Sequence, residues 1–106
     1  SLTALGYPAG SPYDGNQLTF CRGAIGQDAN MSNQTWSMGC DMTGGSSGGS
    51  WQSGDPLTYG ATLRSLNSYG YNNDPHMYGP KFNSRTQATY DAANSGLTVN
   101  TRVTGG

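Results

Sequence analysis

Residues 40–51 read CDMTGGSSGGSW, with four glycines and three serines between Cys40 and Trp51. Such a composition describes either a flexible linker or a tight turn that presents one reactive serine. A cysteine at one end and a large aromatic at the other anchor the stretch, which leaves little for a linker to join. Gly45 to Gly49 also satisfies G-x-S-x-G, a strand-to-helix elbow that carries a nucleophilic serine. The next residues, SWQSGDP at 50–56, cannot form the helix that an elbow requires. The acid and histidine of an elbow triad would be Asp74 and His76, two residues apart across Pro75. That spacing is not expected to let the carboxylate orient the imidazole from its far side.

The rest of the chain narrows the setting. It has 106 residues, 10% of them charged, a formal net charge of −1 and a pI near 5.4. This suits one domain, residues 1–106, with a modest core. There is too little positive charge to neutralise a run of phosphates, so nucleic acid is not an expected partner. No apolar run approaches the ~20 residues of a membrane span, and no leader peptide is visible. The polarity comes from Gly, Ser, Thr, Asn and Tyr, while seven Tyr, two Trp and two Phe are expected to supply the core. Seventeen Gly and five Pro imply many tight turns. The balance is that of a secreted all-β domain with short strands.

Cys21 and Cys40 are the only cysteines, too few for a structural zinc site by themselves. They form either one disulfide, which an extracellular setting favours, or two buried thiols. Sequons at Asn30 and Asn33 fall between them.

Apolar alternation predicts strands at residues 1–6, 18–25 (Leu18, Phe20 and Arg22 on one face), 35–38 and 59–69, the last being the longest. Turns are expected at 53–56 and 72–75. One helix is expected at 84–93, with Ser84 as N-cap, a partial stripe of Ala88, Tyr90 and Ala92, and a stop at 94–96. Residues 97–106 read as an extra strand or a tail.

The serine turn has a chemical logic. In acyl transfer, the N–H of the nucleophile and that of the residue two before it converge on the future oxyanion. Only a contorted turn achieves this, and glycine makes such a turn accessible. Gly45 and Ser47 are the candidate oxyanion donors, with the Ser47 hydroxyl as nucleophile. Gly48 and Gly49 allow close approach of substrate and of a facing histidine.

With its neighbours, this turn resembles the second half of the trypsin- and chymotrypsin-like serine proteases, in their secreted bacterial and fungal branch. Gly6-Tyr7-Pro8 resembles the GYP after the first strand of the second barrel. Residues 40–49 resemble the nucleophile loop, and Ser68-Tyr69-Gly70 stands where the family has Ser-Trp-Gly, the edge that pairs with substrate backbone. Tyr78-Gly79-Pro80 resembles the start of the following strand, and residues 84–93 the closing helix. The resemblance implies a six-stranded chymotrypsin-like β-barrel, the C-terminal half of a two-barrel enzyme, with one short C-terminal helix.

It also implies a serine endopeptidase acting through an acyl-enzyme on Ser47 on a peptide or protein substrate, with no metal or organic cofactor. The general-base histidine and its aspartate belong to the family's first barrel, before this chain begins. An N-terminal barrel or chain carrying them is therefore the expected partner, held non-covalently. His76 reads as a surface loop histidine. Asp41, six residues before Ser47, lies where a carboxylate selects Lys or Arg substrates; the other reading is an exposed turn residue. Three positions depart from the family. Ser46 replaces the Asp or Asn before the nucleophile, Ser50 replaces a Pro, and Asn67 stands where the glutamyl-specific branch has a His. Two other functions compete: a protease homologue that has lost catalysis, and a carbohydrate- or peptide-binding domain using Tyr69, Tyr71, Asn72, Asn73 and Tyr78.

Overall fold

The computed structural model describes residues 1–54 and 61–96. The expected tail at 97–106 and the start of the strand expected at 59–69 lie outside the described residues. Among those described, the chain forms seven strands and one late helix: β1 (Leu2–Gly6), β2 (Thr19–Gly23), β3 (Ile25–Gln27), β4 (Thr35–Gly39), β5 (Ser50–Ser53), β6 (Thr62–Leu66), β7 (His76–Pro80) and α1 (Ser84–Asn94). The all-β class is as expected.

Among the described residues the strands number seven where six are expected and lie in two antiparallel sheets, one in the order β2-β1-β5-β6 and the other β3-β4-β7, with barrel closure not detected. The difference lies at Ala24, where the strand expected over 18–25 divides. Its first part pairs with β1 from Leu2↔Gly23 to Gly6↔Thr19, and its second part pairs with β4 from Ile25↔Met38 to Gln27↔Trp36. One stretch of chain thus serves both sheets. The Cys21–Cys40 disulfide, with Cα atoms 5.5 Å apart, joins them again at the end of β4. They meet a third time where Ser65 Oγ donates to the Pro80 carbonyl at 2.7 Å. A Cβ on Gly79 would stand 2.2 Å from the Leu66 carbonyl oxygen, so only glycine allows that approach.

The core is Ala4, Met38, Cys40, Met42, Trp51 and Met77. Aromatic residues contribute less than expected: Trp51 is fully buried, whereas Tyr7, Phe20 and Tyr90 are exposed. Methionine takes their place, since an unbranched thioether fills irregular gaps between short, twisted strands. A fully buried Met such as Met38 contributes roughly 1.5–3 kcal/mol. Leu18, Phe20 and Arg22 do share a face, but it is the outer one, where the Arg22 guanidinium lies over the Phe20 ring.

Helix α1 runs one residue past the expected end at 93, to Asn94, and its N-cap is corrected. Asn83, not Ser84, is the N-cap: its extended backbone lets Oδ1 accept from the N–H groups of Arg85 and Thr86, while Thr86 Oγ1 accepts from the Asn83 N–H. None of the helix residues is buried, so Ala88, Tyr90 and Ala92 form no packed stripe.

Candidate active site

The loop between β4 and β5 is tied at nearly every residue. Cys40 N–H donates to the Pro75 carbonyl at 2.9 Å, and Met42 is buried in the core. Thr43 Oγ1 donates to the Gly10 carbonyl at 2.7 Å, and the Gly44 carbonyl accepts from Ala9 N–H at 2.7 Å. Gly45 has φ +101°, and a Cβ there would sit 3.0 Å from the Tyr7 carbonyl oxygen. Ser46 is buried and its hydroxyl turns back to the Thr43 carbonyl at 2.8 Å. In place of the family's charged or amide side chain, this serine closes its own loop. Gly48, at φ +84°, releases the chain toward β5. A flexible linker is excluded by these contacts.

Ser47 is exposed in this bound-down turn, as are Asp41, Gly44, Gly45 and Gly48. Among the described residues its hydroxyl, its N–H and the Gly45 N–H make no hydrogen bond. Ser47 opens onto a cleft of about 650 Å³ that also takes in Asp41, Ser68, Tyr69, Gly70, Asp74 and His76. The nucleophile candidate, the substrate-edge candidates and the specificity candidate are thus brought together. Gly45 does not line the cleft, and the side of it that would carry a Cβ faces residues 7–9. Asp41 is exposed, and the Tyr13 hydroxyl donates to its Oδ1 at 2.7 Å. That bond pushes the Tyr13 phenol pKa up.

His76 is not a loop residue. It opens β7, paired with Gly39, and its half-exposed ring lines the cleft. The two-residue spacing, unfavourable on sequence grounds, does permit a carboxylate–imidazole contact: Asp74 Oδ1 lies 2.6 Å from His76 Nδ1. The turn at 72–75 folds Asp74 back alongside the first residue of the strand, which brings the two side chains together. Among the described residues no hydrogen bond joins this imidazole to Ser47. Asp74 also accepts from the Tyr78 hydroxyl. The Tyr78 bond first, and His76 second, hold the Asp74 carboxyl below its ordinary value, while the same carboxylate pushes the Tyr78 phenol up to about 12.

Behind the edge Ser68–Gly70 stands a packed group of three tyrosines. The Tyr69 and Tyr78 rings stack at 5.1 Å, and Tyr71 meets both edge-on. A single bridge pairs Tyr69 with Tyr78, so this segment leans on β7. The Tyr69 and Tyr71 hydroxyls donate to Asp28 Oδ2 at 2.6 and 2.7 Å, and Asp28 Oδ1 accepts the Asn30 N–H. Burial pushes the Asp28 carboxyl up, but these three hydrogen bonds outweigh it and hold the pKa below the ordinary carboxylate value. The Tyr71 phenol is raised strongly by the same pairing. The Tyr69, Tyr71 and Tyr78 hydroxyls are thus turned to carboxylates, while Asn72 and Asn73 remain exposed.

Sequence reasoning misses Asp28 and the contact role of Asn67, and it sets aside the Asp74–His76 pair that the structure brings into contact. In sequence, Asn67 shows only as a departure from the family. It is 1% exposed, with its side chain bonded to Trp51, Leu5 and Ser46. Among the described residues no group of acidic, histidine or cysteine side chains is arranged to hold a metal ion.

Comparison with known proteins gives two solved structures that resemble the chain closely. One is the thermostable serine protease AL20 from an extremophilic microorganism, 41% identical with a TM-score of 0.80, over 91% of this chain. The other is protease Anisep from Arthrobacter nicotinovorans, also 41% identical with a TM-score of 0.80, over 89% of this chain. The chain spans 44% and 43% of their respective lengths. No protein-family model and no curated protein matches it.

Proposed function

From its place among chymotrypsin-like serine proteases, we propose that this chain is the nucleophile-bearing portion of a secreted serine endopeptidase. Ser47 Oγ attacks the scissile carbonyl carbon, and its proton passes to a general-base histidine. The carbonyl oxygen, now an anion, is received by the Gly45 and Ser47 N–H groups. Collapse expels the amine, which takes the proton from that histidine, and leaves an acyl group on Ser47. Water, deprotonated by the same base, then releases the acid.

The base and its aspartate come from outside this chain, in an N-terminal barrel that packs against it. His76 is not assigned that role: Asp74 meets its Nδ1 as in a triad, but among the described residues no hydrogen bond joins the imidazole to Ser47. The Ser68 carbonyl and the Gly70 backbone pair with the substrate backbone, while Tyr69, bonded to Tyr78 through both its N–H and its carbonyl, holds that edge on β7. Asp41, anchored by Tyr13, favours Lys or Arg in the cleft. The Cys21–Cys40 disulfide agrees with an extracellular destination.

The observation that carries this reading is the contrast at Ser47. Most neighbours from Cys40 to Gly49 are fastened or packed, yet among the described residues the serine hydroxyl and the N–H groups of Gly45 and Ser47 find no partner. Peptide hydrolysis by the native protease, compared with Ser47→Ala, tests it. A fall in kcat of at least about 10³-fold is expected. Retained turnover in Ser47→Ala would refute it.

A further inference from the structure

Asn67 is buried at the junction of the serine loop, β1, β5 and the substrate edge. Its Oδ1 accepts the Trp51 indole N–H at 2.7 Å. Its Nδ2 donates to the Leu5 carbonyl at 2.9 Å and to the Ser46 carbonyl at 2.9 Å. An indole N–H can only donate and carbonyls can only accept, so the amide orientation is unique. The backbone adds two more bonds. Asn67 N–H donates to the Gly49 carbonyl, and its own carbonyl accepts the Gly48 N–H, both at 2.8 Å. One residue thus grips the chain on both sides of Ser47.

The bond to Ser46 has a chemical consequence. In a trans peptide the C=O and N–H point to opposite sides of the plane, and among the described residues the one cis bond is Ser11–Pro12. The Ser46 carbonyl is pulled toward the core by Asn67 Nδ2, and Gly49 N–H also donates to it at 3.1 Å. The Ser47 N–H of the same peptide therefore points away from the core. Two donors on the carbonyl polarise that peptide and strengthen its N–H as a donor.

We infer that Asn67 is a positioning residue for the oxyanion hole: through the Ser46–Ser47 peptide its side-chain amide aims and polarises the Ser47 N–H. The assignment rests on the reading of Ser47 as nucleophile. Residue 68, the next in the chain, begins the substrate edge. Asn67 therefore also fixes the spacing between that edge and the serine.

Asn67→Asp keeps the acceptor for Trp51 and removes both donors. In the native protease, with turnover expressed per Ser47 titrated by a fluorophosphonate, kcat is expected to fall about 10–100-fold with KM little changed. The infrared carbonyl stretch of the acyl-enzyme is expected to move to higher frequency, reporting a weaker oxyanion hole. Trp51→Phe, which frees the amide oxygen and loosens the side chain, is expected to give the same split to a smaller degree, and serves if Asn67→Asp does not fold. Unchanged kcat per titrated serine, an unmoved carbonyl stretch, or equal losses in kcat and KM in a folded variant would overturn the inference while leaving Ser47 in place. Absence of any fluorophosphonate adduct on Ser47 in the unmodified protease would overturn both.

Discussion

The Tyr71 hydroxyl donates to the buried carboxylate of Asp28 across a gap of 2.7 Å, joining residues 43 positions apart. Asp28 lies just before a short 3-10 turn, and Tyr71 directly follows the substrate edge. The bond is one of two phenol contacts that brace that edge from beneath, the other coming from Tyr69.

Acid should loosen this brace. The folded carboxyl of Asp28 sits below its unfolded value of about 3.9. Its contribution to stability is therefore complete above that value and is lost as pH falls through the folded pKa. The melting temperature of the native protein is expected to drop below about pH 4. Asp28→Asn should melt lower than the parent at neutral pH and show a shallower acid limb. Identical acid limbs in the two proteins would count against the brace.

His76 lines the cleft with its Nδ1 against Asp74 and, among the described residues, no hydrogen bond to Ser47. His76→Ala is expected to change KM about three- to tenfold, the size of one hydrogen bond, with kcat nearly unchanged. Asp41→Asn should lower kcat/KM for Arg and Lys substrates more than for neutral ones. Loss of all fluorophosphonate labelling in His76→Ala would instead make this imidazole the general base.

The disulfide closes a loop with a sequence separation of 19 residues and fixes the first residue of the serine loop. Replacing both cysteines with serine should cost about 3 kcal/mol by the chain-entropy argument. Urea unfolding of the oxidised and doubly substituted proteins measures this directly, and equal midpoints would refute it.

Gly49 has no room for a side chain, since a Cβ would lie 1.8 Å from the Leu5 carbonyl oxygen. Gly49→Ala must push β1 and the serine loop apart, for about 1–3 kcal/mol of destabilisation. It should slow catalysis as well, because Asn67 holds both segments. A variant as stable and as active as the parent would show that the two backbones part easily.

The serine turn is legible in sequence because its chemistry demands glycines in a set pattern, and a local pattern survives in sequence. The disulfide, the first strand and the end of the helix are legible for similar local reasons. Asp28 is not. Its meaning depends on Tyr69 and Tyr71, more than forty positions on, and nothing near it in sequence points there. Asn67 joins three separate segments, and in sequence it shows only as an Asn where the glutamyl-specific branch of the family has a His. The break at Ala24 is hidden because β2 and β3 have continuous strand composition, and only their partners differ. His76 reads as a loop residue because the proline before it suggests a turn, whereas β7 begins immediately after Pro75.

The central claim is that Ser47 is the nucleophile. The most direct measurement treats the native protease with a fluorophosphonate probe and maps the adduct by peptide mass spectrometry. A single adduct on Ser47 is expected, absent in Ser47→Ala and blocked by prior acylation with substrate. An adduct on Ser46, Ser50 or Ser68, or none on a protease that still cleaves peptides, would contradict it.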